Sequence, residues 1–411
     1  MMITEQHTNS QTTATLAVAK EDTKMTKANA RLMEVRSQLK TRFAERGALV
    51  DGTLTALIAR DHLLMLGPPG TAKSDFAESV AQCLSTGFFD IQLTKDTAPE
   101  EVFGMFSAKK MMEEDRYERR TDGVAPSKEV WFLDEIFKSS SALLNGFLLA
   151  MQQRKMRNGA EMVKLPLETV MAASNEYPED SSLDALYDRF AVKFWLDYIG
   201  DDSALLKLMS EGPSGIDAKL EDGDLEELRK AADALPWGSD EANTLLKIKK
   251  ACADEGYIAS DRTWIGKAPK LVKARAVLNG HSSVQPNDYL VLADVIWKRH
   301  TDRPALLKAV GNASDPYGAR ATSIIDGVRT AMKDLPTLDD IKTGVLTKPA
   351  AAKKMGEIQG KLSGRRDAIL EVADKVTDND AVQEAVEIVE AAIQQLAERG
   401  RDITMYRPVS D

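Results

Sequence analysis

The stretch "LLMLGPPGTAKSDFAESVAQ" (Leu63–Gln82) decides how this chain is read. An apolar run enters a turn rich in glycine and proline, then a segment whose apolar residues recur at helical spacing. A phosphate-binding loop, G-x-x-x-x-G-K-[ST], sits between a strand and a helix in this way. Gly67 opens that pattern, Pro68, Pro69, Gly70 and Thr71 continue it, and Lys73 and Ser74 close it. Ala72, however, stands where the last glycine is expected. The loop can survive this change. Phosphates are held by successive backbone N–H groups and by the positive end of the following helix. A methyl group is tolerable at that position if its dihedrals are ordinary. Lys73 then suits the terminal phosphates, and Ser74 suits magnesium.

A glycine-rich strand–helix turn without a ligand would look similar, so the remaining strands matter. "EVWFLDEIFKSS" is an apolar run that ends in Asp134-Glu135. Paired carboxylates at the end of a buried strand are costly unless charge is needed there. In phosphoryl transfer Asp134 would hold magnesium, and Glu135 would orient and deprotonate the attacking water. "ETVMAASNEYPED" puts Asn175 at another strand end, where its amide could position the same water or simply cap the next turn.

Outward from these motifs, strands and helices alternate. "HLLMLG" (62–67), "FFDIQL" (88–93), "VWFLDE" (130–135), "TVMAAS" (169–174) and "VKFWLDY" (192–198) read as short buried strands. Helices are expected between them, notably over 73–85, 140–152 and 182–189, so a parallel sheet covered on both faces follows. Leu32, Val35, Leu39 and Phe43 place one amphipathic helix ahead of the first strand. Residues 1–29 form a polar extension expected to stay flexible. Residues 30–200 form the α/β core, 201–300 a helical segment with a break at "SEGPSGIDAKLEDGD" (210–224), and 301–411 a helical C-terminal region. There, Met355, Ile358, Leu362, Ile369, Val372 and Val376 form one stripe; Val382, Ala385, Val389, Ala392 and Leu396 form a second. With "TDND" (377–380) as the turn, the two stripes suit an antiparallel helical hairpin, and Arg365-Arg366 interrupt the first.

Composition narrows the function classes. The 411 residues carry 54 basic and 64 acidic side chains, a net charge of −10, which argues against a dedicated nucleic-acid binder. Cys83 and Cys252 are the two cysteines, too few for a disulfide framework or thiolate cluster. The four histidines, His7, His62, His281 and His300, have no metal-ligand spacing. No apolar run reaches the roughly 18 residues of a membrane span, and the N-terminus lacks a signal-peptide pattern, so a cytoplasmic protein is expected.

Taken together, the motifs resemble those of the AAA+ ATPases, and within them the MoxR family, where alanine before the loop lysine is typical. "PEEVFG" (99–104), "RYERRTDG" (116–123), "FLDEIFK", "AASNEYPEDSSLDALYDRF" and "SDRTW" (260–264) are similar to the RavA branch. The resemblance spans about Ala30 to His300. It implies an AAA+ P-loop core with a five-stranded parallel sheet, followed by an all-α lid and a helical C-terminal region. It implies ATP and Mg2+, with Gly67–Ser74 as the phosphate loop, Ser74 and Asp134 at the metal, Glu135 beside it in the Walker B pair, and Asn175 as sensor 1. Arg189 in "LYDRF" matches the arginine finger that reaches a neighbouring subunit's nucleotide, and Arg262 in "SDRTW" matches the sensor 2 arginine of the lid. The larger RavA proteins carry a small β-rich domain in their C-terminal region, for which "KDLPTLDDIKTGVLTKPAAAKKMGEIQ" leaves little room.

The implied function is magnesium-dependent ATP hydrolysis by a ring, hexameric as the resemblance implies, that remodels or activates a client protein. Such proteins work with a von Willebrand A-domain partner, and metal-centre maturation is one outcome. Two alternatives belong to other classes. One is a nucleic-acid-stimulated motor; the other is a slow nucleotide-gated scaffold, which would have no need of Glu135.

Overall fold

The computed structural model describes residues 27–178, 183–376 and 379–405. Most of the N-terminal extension therefore lies outside the described residues, as do Thr377 and Asp378 of the expected turn. The chain divides into two compact units, one ending at Leu307 and one beginning at Lys308.

The first unit is built on five parallel strands in the order β2-β3-β6-β1-β7. They are β1 (Leu63–Leu66), β2 (Phe88–Gln92), β3 (Val130–Asp134), β6 (Thr169–Ser174) and β7 (Val192–Trp195). All five coincide with the apolar runs of the sequence. Every residue of β1 and β6 is buried, as expected of central strands packed on both faces. β1 sits between β6 and β7, with Leu66 in register with Ser174 and Trp195. β2 pairs with β3, so that Gln92 lies opposite Asp134. The carboxyl ends of β1, β3 and β6 thus lie along one edge, and the residues that follow them project from that edge. Open α/β sheets bind ligands there.

Among the elements that escaped the sequence reading, two are instructive. A helix, Gly47–Ala59, buries residues Leu49 to Ile58 without interruption, so it has no exposed face to give an amphipathic periodicity. A two-stranded antiparallel hairpin, β4 (Lys155–Asn158) and β5 (Glu161–Lys164), stands outside the main sheet. The expected helix 182–189 is shorter: it covers Asp184–Tyr187, and residue 182 lies outside the described residues. The other two appear as Lys73–Cys83 and Ser141–Gln153. The amphipathic helix at the start runs over 27–42, with Leu32, Val35, Leu39 and Phe43 all buried. Downstream of β7 the unit is helical, with Asp202–Glu211, Asp224–Ala234, Ser239–Asp254 and Ala268–Leu278 as its main helices.

The second unit holds the two striped helices, Lys348–Ala373 and Asp380–Met405. A Cβ added to Gly400 would meet Met355, and Arg366 bonds Glu390, so residue numbers rise on one helix as they fall on the other. The pair is antiparallel. It does not stand alone, however. A third helix, Pro316–Lys333, contributes Ala321, Ile324, Ile325, Val328 and Ala331 to one core with Ile358, Leu362, Ile369, Val382, Ala385 and Val389. The hairpin is two-thirds of a three-helix bundle, because each apolar stripe is wide enough to serve two neighbours.

Candidate functional site

β1 ends at Leu66, and the chain turns through Gly67, whose φ is 146°. A Cβ there would lie 2.0 Å from the Leu196 carbonyl oxygen, so the loop can run this close to β7 only with glycine. Gly70 (φ 79°) makes the second sharp turn. Ala72 differs from the sequence expectation: it is left-handed, with φ 62° and ψ 30°. Its dihedrals are not ordinary. The residue is exposed, and its left-handed conformation costs about 1–2 kcal/mol.

The helix Lys73–Cys83 begins directly behind this turn. Lys73 is buried, and its Nζ donates to the carbonyls of Gly67 (2.8 Å) and Pro68 (3.0 Å) and to Asn175 Oδ1 (2.8 Å). Burial holds its pKa below the ordinary lysine value, while the charges of Asp134 and Glu135 oppose that shift. Ser74 Oγ donates to Asp134 Oδ2 at 3.1 Å. A hydroxyl and a carboxylate meeting in this way are hard oxygen donors that suit Mg2+. Among the described residues no group of three or more His, Cys, Asp or Glu side chains could hold a metal by itself. A magnesium ion here would be held by Ser74 and Asp134 together with phosphate oxygens and water.

Glu135 follows β3 in a left-handed conformation (φ 54°), the second non-glycine residue of that kind at this edge. That bend turns its side chain inward, where it is only 6% exposed. Asn175 Nδ2 donates to Glu135 Oε1, and Lys138 Nζ lies 3.3 Å from the same oxygen. Oε2 is buried and has no hydrogen-bond partner. Asn175 thus bridges Lys73 and Glu135, one amide oxygen to the ammonium and its NH2 to the carboxylate. Lys138, which the sequence reading did not single out, lies one helical turn beyond Glu135 in the same motif, and the spacing i, i+3 was its available signal.

Arg189 and Arg262 stand apart from that cluster. Both line a cavity of about 810 Å³ with Tyr177, Lys193, Lys267 and Arg299, and no residue from Gly67 to Ser74 takes part in it. Arg189 donates to Gln152 Oε1 at 3.0 Å, while its Nε is buried without a partner. Burial first, and then the nearby Arg262 charge, lower its pKa. Lys193 is buried at the cavity wall and donates to the Val295 carbonyl at 2.6 Å. The arginines expected to serve a neighbour and the protomer's own lid are therefore side by side.

The profile of a family described as the MoxR domain in MoxR-vWA-beta-propeller ternary systems matches residues 30–228. An AAA lid domain profile matches residues 241–310. An uncharacterized protein of Methanocaldococcus jannaschii is 31% identical over 362 residues, covering 87% of this chain and 95% of that one. The chaperone MoxR1 of Mycobacterium tuberculosis is 26% identical over 190 residues, 45% of this chain and 49% of its own length. A solved structure from Cytophaga hutchinsonii is similar in fold, with TM-score 0.58 at 20% identity, covering 72% of this chain and 97% of that chain.

Proposed function

The chain belongs to the MoxR family of AAA+ ATPases, and from that premise we propose how its residues divide the work and what the work is for. Gly67, Pro68, Pro69, Gly70, Thr71 and Ala72 cradle the triphosphate, and Lys73 compensates its charge. Ser74 and Asp134 hold magnesium, which supplies charge neutralisation to the phosphate oxygens when bound. Glu135 Oε1 is fixed by Asn175 and Lys138. Oε2, left without a partner, accepts the proton of the water that attacks the terminal phosphorus as the bond to the bridging oxygen breaks. That unpaired, buried carboxylate oxygen is the observation that carries the reading. A buried acceptor costs about 1–3 kcal/mol when left unsatisfied, and a site that receives a water explains why it is retained.

Arg189 completes the site of a neighbouring protomer, which makes a ring, hexameric as in related AAA+ proteins, the working form. The quoted motifs support placement in the RavA-like branch. The ring remodels or activates a client protein in the cytoplasm, and a protein with a von Willebrand A domain is its partner, as the matched family's description suggests. Metal-centre maturation is one such task. Among the described residues no helix is long and apolar enough to cross a membrane.

Glu135→Gln tests the site. ATP binding is expected to persist, because the substitution leaves Lys73 and Ser74 in place, while turnover falls about 10²–10⁴-fold. Normal turnover in that variant removes the assignment. DNA or RNA that stimulated turnover at low salt and lost its effect at high salt would favour the nucleic-acid motor instead.

A further inference from the structure

The helix Asp202–Glu211 carries Leu205, Leu206, Leu208 and Met209, yet none of its residues is buried. Leu206 is 67% exposed and Met209 75%. A helix this short is marginal in water without an apolar face packed on something. Its place in the fold is specific. Leu196 N donates to the Leu66 carbonyl at the end of β1, and Tyr198 OH donates to the Pro69 carbonyl of the phosphate loop. The helix starts four residues after Tyr198, so it belongs to the loop's side of the protomer.

A second exposed apolar pair flanks the arginines. Ile258 (77% exposed) lines the same cavity as Arg189 and Arg262, and Ile265 (79% exposed) lies three residues beyond Arg262. Charge differs between the two places. Asp201, Asp202 and Glu211 outnumber Lys207 at the helix, whereas Arg262, Lys267, Lys298 and Arg299 dominate around the cavity.

We propose that the apolar face of Asp202–Glu211 is a docking surface for a second copy of this chain, received by Ile258 and Ile265 beside that copy's arginine cavity. The proposal rests on the trans role given to Arg189. A site completed by a neighbour's arginine requires the loop side of one protomer to meet the arginine side of the next. That is a head-to-tail contact between two different patches, the kind that closes into rings. Both patches are apolar, exposed and opposite in charge. Seating Leu206 and Met209 against Ile258 and Ile265 buries what neither surface covers alone, and the charges set the register.

Single-cysteine variants distinguish this contact from others. Met209→Cys and Ile265→Cys proteins are assembled with ATP, separately and mixed, and treated with a short bismaleimide; the native Cys83 and Cys252 are buried and contribute little background. The mixture is expected to yield cross-linked dimers, and each variant alone is expected to yield none. Leu206→Glu with Met209→Glu is expected to raise the concentration for half-assembly by about tenfold or more, with ATP binding to the monomer unchanged. Rings that form without the mixed cross-link, or self-cross-linking of either variant alone, overturn the docking surface and leave the trans ATPase standing. A protein that stays monomeric with ATP in sedimentation velocity removes the ring reading, and the docking surface with it.

Discussion

The phosphate-loop cluster and the arginine cavity both gather basic side chains in one unit, yet their bonding differs. At the loop, Lys73, Asn175, Glu135 and Lys138 form a continuous chain of partners, and Ser74 closes on Asp134. In the cavity, Arg189 has one side-chain partner, Gln152, and a buried nitrogen with none. Carboxylates that could pair the loop's lysine are adjacent to it; around the cavity, six basic side chains outnumber Asp184 and Asp188. The first region is self-consistent as it stands. On the proposed reading, the second meets a phosphate held by a neighbouring copy, which divides one chemical step between two copies.

The largest expected effects break that division of labour. Lys73→Ala removes the ammonium that the loop carbonyls and Asn175 hold, so nucleotide binding and turnover are both expected to be lost. Arg189→Ala is expected to keep binding and lose about 10³–10⁵ in rate, the worth of an arginine acting on a phosphoryl-transfer transition state. Mixing the two variants should restore part of the activity, because some interfaces then pair an intact Lys73 with an intact Arg189. Assembled mixed rings with no recovery would show that the cavity serves something other than the neighbour's nucleotide. Recovery with Arg262→Ala in place of Arg189→Ala would exchange their roles.

Much of this was legible in the sequence, for identifiable reasons. Buried parallel strands are continuous apolar runs, so all five stood out. Asp134, Glu135 and Asn175 were visible because polar groups at the ends of such runs are costly without a task. The hairpin Lys155–Lys164 was hidden by its exposure: of its strand residues only Met156 is buried, so it has no apolar stripe. Its two-residue turn Gly159-Ala160, with glycine at the first central position and φ 65°, was the signal available. Gly47–Ala59 was hidden by the opposite cause, being buried on every side, Asp51, Thr53 and Thr55 included. The meeting of Arg189 and Arg262 joins segments 73 residues apart, which no local pattern reports. The third helix of the C-terminal bundle was readable from Ala321, Ile324, Ile325 and Val328, but only once a partner for the two stripes is sought.

A smaller effect sharpens the contrast between the two buried lysines. Lys73 has Asp134 and Glu135 to offset its burial, whereas Lys193 is driven down to about 7, first by burial and then by Lys267, with Asp188 and Asp294 opposing. A depressed lysine binds its proton less in the folded than in the unfolded chain. Below pH 7 both states are protonated and the penalty for the buried charge is complete. As pH rises from about 7 toward 10.5 the folded state sheds the proton first, so the penalty is relieved and stability rises, by up to about 1.4 kcal/mol per pH unit. The urea midpoint of the first unit is expected to increase between pH 7 and pH 9, and Lys193→Met is expected to flatten that slope and to be more stable at pH 7. Equal slopes in both proteins would assign the pH dependence to other groups.

The smallest expected effect concerns Ala72, where the loop departs from its usual glycine. An alanine held at φ 62° bears left-handed strain of about 1–2 kcal/mol. Glycine would relieve it, but glycine also has more freedom in the unfolded chain, which costs about 0.4–1 kcal/mol. Ala72→Gly is therefore expected to leave stability unchanged or raise it by up to about 1.5 kcal/mol. At the exposed Ala242, inside the helix Ser239–Asp254, only the cost applies, and Ala242→Gly is expected to lose about 0.5–1 kcal/mol. Denaturation of the two variants side by side reads the difference in sign. If Ala72→Gly loses as much as Ala242→Gly, the left-handed turn is not the conformation the loop adopts, and the methyl lies where ordinary dihedrals would have put it. If it gains, the chain retains a strained alanine in the loop that holds the phosphates. ATP affinity measured on the same variant then tells whether that strain stiffens the cradle: a stiffer alanine loop binds more tightly than its glycine counterpart, because less freedom is lost when the phosphates arrive.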